Sequence, residues 1–138
     1  MDERSEKNLK GVHPDLAKVM RAANATSPIP FIIIWGVRLT EEQQKLYAKG
    51  RTEAGKIVTQ CDGVIKKSEH QIKEDGYGHA VDVCPDTNKN GKVDTPEISD
   101  VASLKIIGEH IVETGKSMGI TIIWGANFKI KDYPHFQN

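Results

Sequence analysis

Three short stretches of the chain set histidine beside carboxylates: Ser68-Glu69-His70, Gly78-His79-Ala80-Val81-Asp82 and Asp132-Tyr133-Pro134-His135-Phe136. Two imidazoles and a carboxylate are the donor set of a catalytic zinc centre. Three protein ligands leave a fourth position for water, and a further carboxylate off the metal can move protons. Strand geometry bears on which histidine accompanies Asp82. If 79–83 is extended, side chains alternate, so His79 and Asp82 face opposite sides. His70 then arrives from the preceding loop and His79 becomes a neighbour; a twist or bulge would reverse the two. His110, near the apolar edge of a helical segment, reads as structural, and His13 before Pro14 as a helix entry. Ser68 lacks the general base that a nucleophile needs.

A second metal pattern lies just beyond. Asp86-Thr-Asn88-Lys-Asn90-Gly91-Lys92-Val-Asp94-Thr-Pro-Glu97 fits the calcium-loop pattern D-x-[DN]-x-[DN]-G-x5-E at every constrained position. Oxygen donors fall at Asp86, Asn88, Asn90, Asp94 and Glu97, the backbone carbonyl of Lys92 supplies another, and Gly91 stands where the turn must be sharp. Asn and Gly also favour ordinary turns. The preceding segment is strand-like, so only the loop, and no EF-hand pair, is expected. Three carboxylates imply modest affinity.

These residues need a frame. The chain has 138 residues, 38% hydrophobic and 28% charged, which is about one domain of soluble composition. Nineteen Lys and Arg cancel nineteen Asp and Glu, which argues against a nucleic-acid binder held by bulk charge. No apolar run is long enough to span a bilayer and the first residues form no secretory signal, so synthesis in a cytoplasm is expected. Cys61 and Cys84 read as ordinary thiols outside any disulfide framework.

Residues 1–12 are polar and expected to be frayed. Leu16, Val19, Met20 and Ala23 mark a helix from Pro14. Residues 31–37 read as a strand buried on both faces, with Arg38 at its end. Thr40-Glu41-Glu42-Gln43 reads as a capping box opening a second helix to about Ala48, which assigns Gln43 a structural role. A long loop over 51–79 leads to a strand at 80–83. A third helix, capped by Ser99 or Asp100, carries Val101, Leu104, Ile107, Ile111, Gly115 and Met118. The last clear strand is 120–124. The expectation is one α+β domain over residues 1–138, with a short, mostly antiparallel sheet packed by about three helices. Loops this long in a compact domain point to function.

The motifs taken together resemble a known family. Ser68-x-His70, Gly78-His79-Ala80-Val81-Asp82 and Asp132-x-x-His135 look like the SxHxxGxAxD…(D/E)xxH signature of the zinc D-alanyl-D-alanine and L-alanyl-D-glutamate peptidases. The chain is most similar to the small bacteriophage endolysins of that group. Val12-His13-Pro14-Asp15-Leu16, Gly36-Val37-Arg38, Gln43, Leu46-Tyr47, Gly50-Arg51-Thr52 and Trp124-Gly125 extend the resemblance along nearly the whole chain. One departure is the longer step from His70 to Gly78, with extra residues within 71–77.

The resemblance implies that His70, Asp82 and His135 bind zinc, that Asp132 is the catalytic carboxylate, and that Arg38 stabilises charge on the scissile carbonyl. It also implies action on peptidoglycan stem peptides without membrane insertion. A monomer is expected, with no separate wall-binding domain, since one domain of 138 residues leaves none over to build it. The protein would be made in the host cytoplasm and would reach the wall after the membrane is breached. A D-alanyl-D-alanine carboxypeptidase or dipeptidase is the alternative within the family. A calcium-responsive, non-catalytic wall-binding module is the alternative outside it.

Overall fold

The computed structural model describes residues 1–138, the side chains of Thr95 and Ile98 excepted. The elements are α1 (Glu3–Asn8), α2 (Pro14–Thr26), β1 (Phe31–Trp35), α3 (Thr40–Ala48), β2 (Ala80–Pro85), α4 (Thr95–Ile98), α5 (Val101–Ser117), β3 (Ile123–Trp124) and β4 (His135–Gln137). The four strands form one sheet, ordered β1-β2-β4-β3 and antiparallel throughout. The fold is the expected α+β domain, with three longer helices and two short ones.

The apolar stripes read from the sequence face the core. Leu16, Val19, Met20 and Ala23 of α2 and Leu104, Ile107 and Ile111 of α5 are buried against Ile33, Val81, Val83 and Phe136 of the sheet. Pro14 starts α2, where a missing N–H costs nothing, and His13 caps it through Nδ1, which accepts from Asp15 N. Asp100 caps α5 by accepting from Ser103 N. The strand expected over 120–124 is shorter, the two residues of β3, and a further strand, β4, follows it.

The N-terminus is not frayed. Asp2 accepts from Ser5 N and opens α1, which lies along β1, one of the two outer strands of the sheet. Ser5 Oγ accepts from Ile33 N, and Asn8 Nδ2 donates to Ile33 O. An edge strand exposes unpaired backbone groups, and here a polar helix supplies their partners. That helps explain why so hydrophilic a segment is folded: these hydrogen bonds, with Leu9 and Val12 buried in the core, hold it down.

Two local departures matter for the site. The strand expected over 31–37 ends at Trp35, because pairing with β2 slips between Ile33, which faces Val83, and Trp35, which faces Asp82. Such a bulge re-aims side chains; Ile33 is fully buried whereas Trp35 is 46% exposed. The capping box of α3 is also displaced by one residue: Leu39 is the N-cap and its N–H donates to Glu42 Oε1. Gln43 is thereby released from the capping role.

Candidate metal centre and catalytic cleft

Asp82 lies on β2 directly across from His135 on β4, so the two side chains emerge on the same face of the sheet. His135 Nδ1 is 3.3 Å from Asp82 Oδ1. His70 enters from the loop before β2, and its Nε2 lies 3.4 Å from Asp82 Oδ2. The donor atoms of His70, Asp82 and His135 all lie within 4.8 Å of one another and could hold a metal ion. Both histidines are buried.

The donor types suit a metal such as zinc. A tetrahedral ion with arms of about 2.0–2.1 Å sets neighbouring donors roughly 3.3 Å apart, close to the His135 Nδ1–Asp82 Oδ1 and His70 Nε2–Asp82 Oδ2 contacts, which use different oxygens of the carboxylate. Asp82 Oδ1 is buried and makes no hydrogen bond among the described residues, an orphan that a cation would satisfy. Each imidazole is held from behind, His70 through Nδ1 at 2.9 Å from Gly36 O and His135 through Nε2 at 2.7 Å from Gln137 Oε1. A donated N–H on the far nitrogen leaves the inward nitrogen with its lone pair, as a ligand requires.

The electrostatics of Asp82 agree with a cationic occupant. Burial alone would raise the Asp82 carboxyl, but the imidazoles of His135 and His70 beside it outweigh that and hold the pKa well below the usual range. For His135, burial opposes charging, yet the Asp82 carboxylate more than compensates and raises its pKa. Asp132 is raised instead, by burial first and then by the negative charge of Asp82. Its Oδ2 stands 4.0 Å from His135 Nδ1, close to the donors without joining the closest set.

Arg38 completes the same cleft, a hollow of about 370 Å³ that also holds His70, Asp82, Asp132, His135 and Gln137. Gln43, buried beneath it, accepts from Arg38 Nη1 through Oε1 and donates through Nε2 to Thr59 Oγ1 and Cys61 O. It ties the arginine to the wall of the cleft. The structural role first assigned to Gln43 was capping; its observed role is positioning Arg38. Arg38 Nε is buried without a partner among the described residues. Ser68 accepts from His70 N through Oγ, a bond within the ligand loop.

His79 points elsewhere. Its Nε2 lies 2.6 Å from Asp75 Oδ2 and its Nδ1 3.1 Å from Asn138 Oδ1. The extra residues are absorbed as a closed turn, with Lys73 N donating to Tyr77 O and Gly76 N to Lys73 O. His79 N then donates to Glu69 O, bringing the two ends of the insertion side by side. A larger hollow of about 700 Å³ lies around Val64, Ile65, Lys73 and His79. It contains none of the clustered donors, so its size says nothing about the chemistry.

Asp132 is aimed by a tight turn. Its N–H donates to Gly125 O, and a Cβ on Gly125 would lie 2.0 Å from Asp132 O. Trp124 packs over Gly108 of α5 and donates from Nε1 to Tyr133 O. This accounts physically for Trp124-Gly125 standing shortly before the last motif.

The 86–97 loop forms a separate feature. Asp86 accepts from Asn90 N and Gly91 N, and Asp94 accepts from the side-chain amides of Asn88 and Asn90. Gly91 has φ +70°, as a sharp turn requires. Glu97 Oε2 accepts from Thr87 Oγ1 at 2.7 Å, while its Oε1 is buried with no partner among the described residues. Lys92 donates its N–H to Asn90 Oδ1. The loop ends in the short α4, which the sequence did not announce.

Comparisons with known proteins point one way. A family model described as phage L-alanyl-D-glutamate peptidase matches residues 1–135. Over 135 residues the chain is 33% identical to the peptidoglycan L-alanyl-D-glutamate endopeptidase CwlK of Bacillus subtilis (strain 168), covering 88% of this chain and 68% of that one. It is 31% identical over 124 residues to the L-alanyl-D-glutamate peptidase of Escherichia phage T5, covering 90% of this chain and 77% of the other. The crystal structure of the Serratia marcescens L-Ala D-Glu endopeptidase ChiX superposes with a TM-score of 0.69 at 28% identity, over 99% of this chain and 87% of that one. With a cleft of this make-up and a match running from residue 1 to residue 135, the chain belongs to the phage L-alanyl-D-glutamate peptidase family.

Proposed function

We propose that the protein is a zinc-dependent endopeptidase that hydrolyses the L-alanyl-D-glutamate bond of peptidoglycan stem peptides, serving a phage as its endolysin. One observation carries the reading: the donor atoms of His70, Asp82 and His135 gather within 4.8 Å of one another in the cleft that also holds Arg38 and Asp132. The activities named for the relatives support the choice of bond. In this reading the protein is made in the host cytoplasm, reaches the wall after the membrane is breached, and works as a monomer. No described helix is long and apolar enough to cross a membrane.

Bound zinc would supply Lewis acidity, polarising the scissile carbonyl and bringing the pKa of water from about 15.7 to roughly 7. His70, Asp82 and His135 hold the ion, and the Gly36 carbonyl and Gln137 fix the two imidazole tautomers. Asp132 takes a proton from the attacking water and passes it to the departing amine of D-glutamate. Its raised proton affinity suits a group that must both accept and release. Arg38, steadied by Gln43, faces the carbonyl oxygen as negative charge grows there.

Calcium is the second proposed cofactor, held by Asp86, Asn88, Asn90, Asp94 and Glu97 with the Lys92 carbonyl. The buried, unpartnered Glu97 Oε1 supports it, since the last ligand of such loops uses both carboxylate oxygens. Asp86 follows β2 only four residues after Asp82. An ion closing the loop would therefore steady the strand end that aims a zinc ligand, and small displacements of catalytic groups cost large factors in rate. Calcium would thus activate.

The same donor set would serve a D-alanyl-D-alanine carboxypeptidase or dipeptidase. Mass spectrometry of digested peptidoglycan separates the two. Products beginning with an unblocked D-glutamate amine support the proposal; release of D-alanine alone, or no cleavage by the zinc-loaded protein, overturns it.

A further inference from the structure

Trp35 is a large aromatic left 46% exposed at the end of a strand whose other side chains are mostly buried. The bulge between Ile33 and Trp35 sets it opposite Asp82 in the register with β2, on the face of the sheet that carries the metal donors. The Arg38 guanidinium stands over its ring, 5.7 Å from the centroid. Beside it runs a mostly apolar groove of about 420 Å³, lined by Trp35, Arg38, Glu42, Lys45, Leu46 and Lys49. The groove adjoins the catalytic cleft, since Arg38 and Leu46 line both. Nothing in the hydrolytic chemistry requires it.

We propose that this groove is a saccharide subsite, with Trp35 as the platform on which the muramyl sugar of the glycan strand stacks. The inference rests on the L-alanyl-D-glutamate reading and deepens it. Cleavage at that bond leaves L-alanine on the acyl side, and the amine of that alanine is linked through a lactyl group to the sugar. One residue spans about 3.8 Å, so a sugar must lie within one or two such steps of the carbonyl that Arg38 faces. The Trp35 ring, with its centroid 5.7 Å from the Arg38 guanidinium, is within two such steps of that group.

The chemistry is complementary. A pyranose presents a face of C–H bonds whose hydrogens carry slight positive charge, and an indole presents the negative face of its quadrupole. Glu42, Lys45 and Lys49 at the rim offer polar partners for hydroxyl and amide groups. An apolar floor with a few polar groups at its margin is the usual make-up of a small-ligand site.

The test compares two substrates and one fragment on the zinc-loaded protein. The substrates are a stem tetrapeptide and the same tetrapeptide carrying its disaccharide; the fragment is the free disaccharide. The native enzyme should favour the glycosylated substrate by about tenfold or more in kcat/KM, chiefly through KM, and Trp35→Ala should bring the two within about threefold. Trp35→Phe, which keeps an aromatic face, should restore much of the preference. The free disaccharide should shift the indole N–H signal of Trp35 and leave that of the buried Trp124 in place. An unchanged preference in Trp35→Ala, or no shift at Trp35 at saturating disaccharide, would overturn the subsite. If the native enzyme cleaves neither substrate at the alanyl–glutamyl bond, the proposed activity fails, and the disaccharide shift alone decides the subsite.

Discussion

His135 Nε2 lies 2.7 Å from Oε1 of Gln137, two residues further along the same short strand. Alternation puts both side chains on one face, so β4 carries a metal donor together with the group that orients it. Losing such a partner typically weakens metal binding by about 10–100-fold. Gln137→Leu should lower zinc affinity by that order in a chelator competition, while Gln137→Glu, a stronger acceptor, should hold it at or above the native level. Native affinity in Gln137→Leu would show that His135 needs no such support.

Asp132 is argued to move protons without holding the metal. Asp132→Asn should therefore keep its zinc and its fold while losing roughly 10²–10⁴-fold in kcat. Elemental analysis and circular dichroism check the first half, and hydrolysis of a stem peptide the second. Near-native turnover in the metal-loaded variant would remove Asp132 from the mechanism.

Gly125 leaves no room for a methyl group, because the carbonyl of Asp132 occupies the space at 2.0 Å. Gly125→Ala should cost about 1–3 kcal/mol of stability through overpacking. It should also lower kcat, because the Asp132 N–H to Gly125 O bond must shift. Thermal melts and single-substrate kinetics report the two effects; a variant with native kcat would show that the turn does not aim the carboxylate.

Calcium binding has a readout that does not depend on lysis. Burial pushes the Cys84 thiol up to about 11, and the carboxylates of Glu97, Asp86 and Asp94 add to the shift. A folded pKa raised above the unfolded value of about 8.5 contributes stability that is present below that value and lost as pH rises towards 11. In a Cys61→Ser variant, thiolate absorbance should thus appear only near the upper end of that window. Calcium at micromolar to millimolar levels should bring the midpoint down by neutralising the three carboxylates. An identical midpoint with and without calcium would argue against an ion in the 86–97 loop.

Strand alternation over 79–83 sufficed to turn His79 away from Asp82, because a period of two depends on nothing beyond local geometry. The helices α2 and α5 were equally legible from their apolar spacing. β4 was not: with Phe136 its only apolar residue, it becomes a strand through pairing with β2 and β3, which no local pattern reveals. The fold of the N-terminal segment was hidden for a related reason, since Ser5 and Asn8 secure it by bonding to Ile33, twenty-eight and twenty-five residues away. Gln43 was misread through a one-residue shift in the cap of α3, and Gln137 left no signal beyond its place two residues after His135. The bulge that exposes Trp35 lies within an unbroken apolar run, where composition predicts burial.

The central claim is that His70, Asp82 and His135 form the metal centre and that His79 does not. Zinc content per chain, measured by elemental mass spectrometry on purified variants, tests it directly. One zinc should be retained in His79→Ala and lost in His70→Ala, Asp82→Ala and His135→Ala. Zinc kept by His70→Ala and lost from His79→Ala would contradict the account.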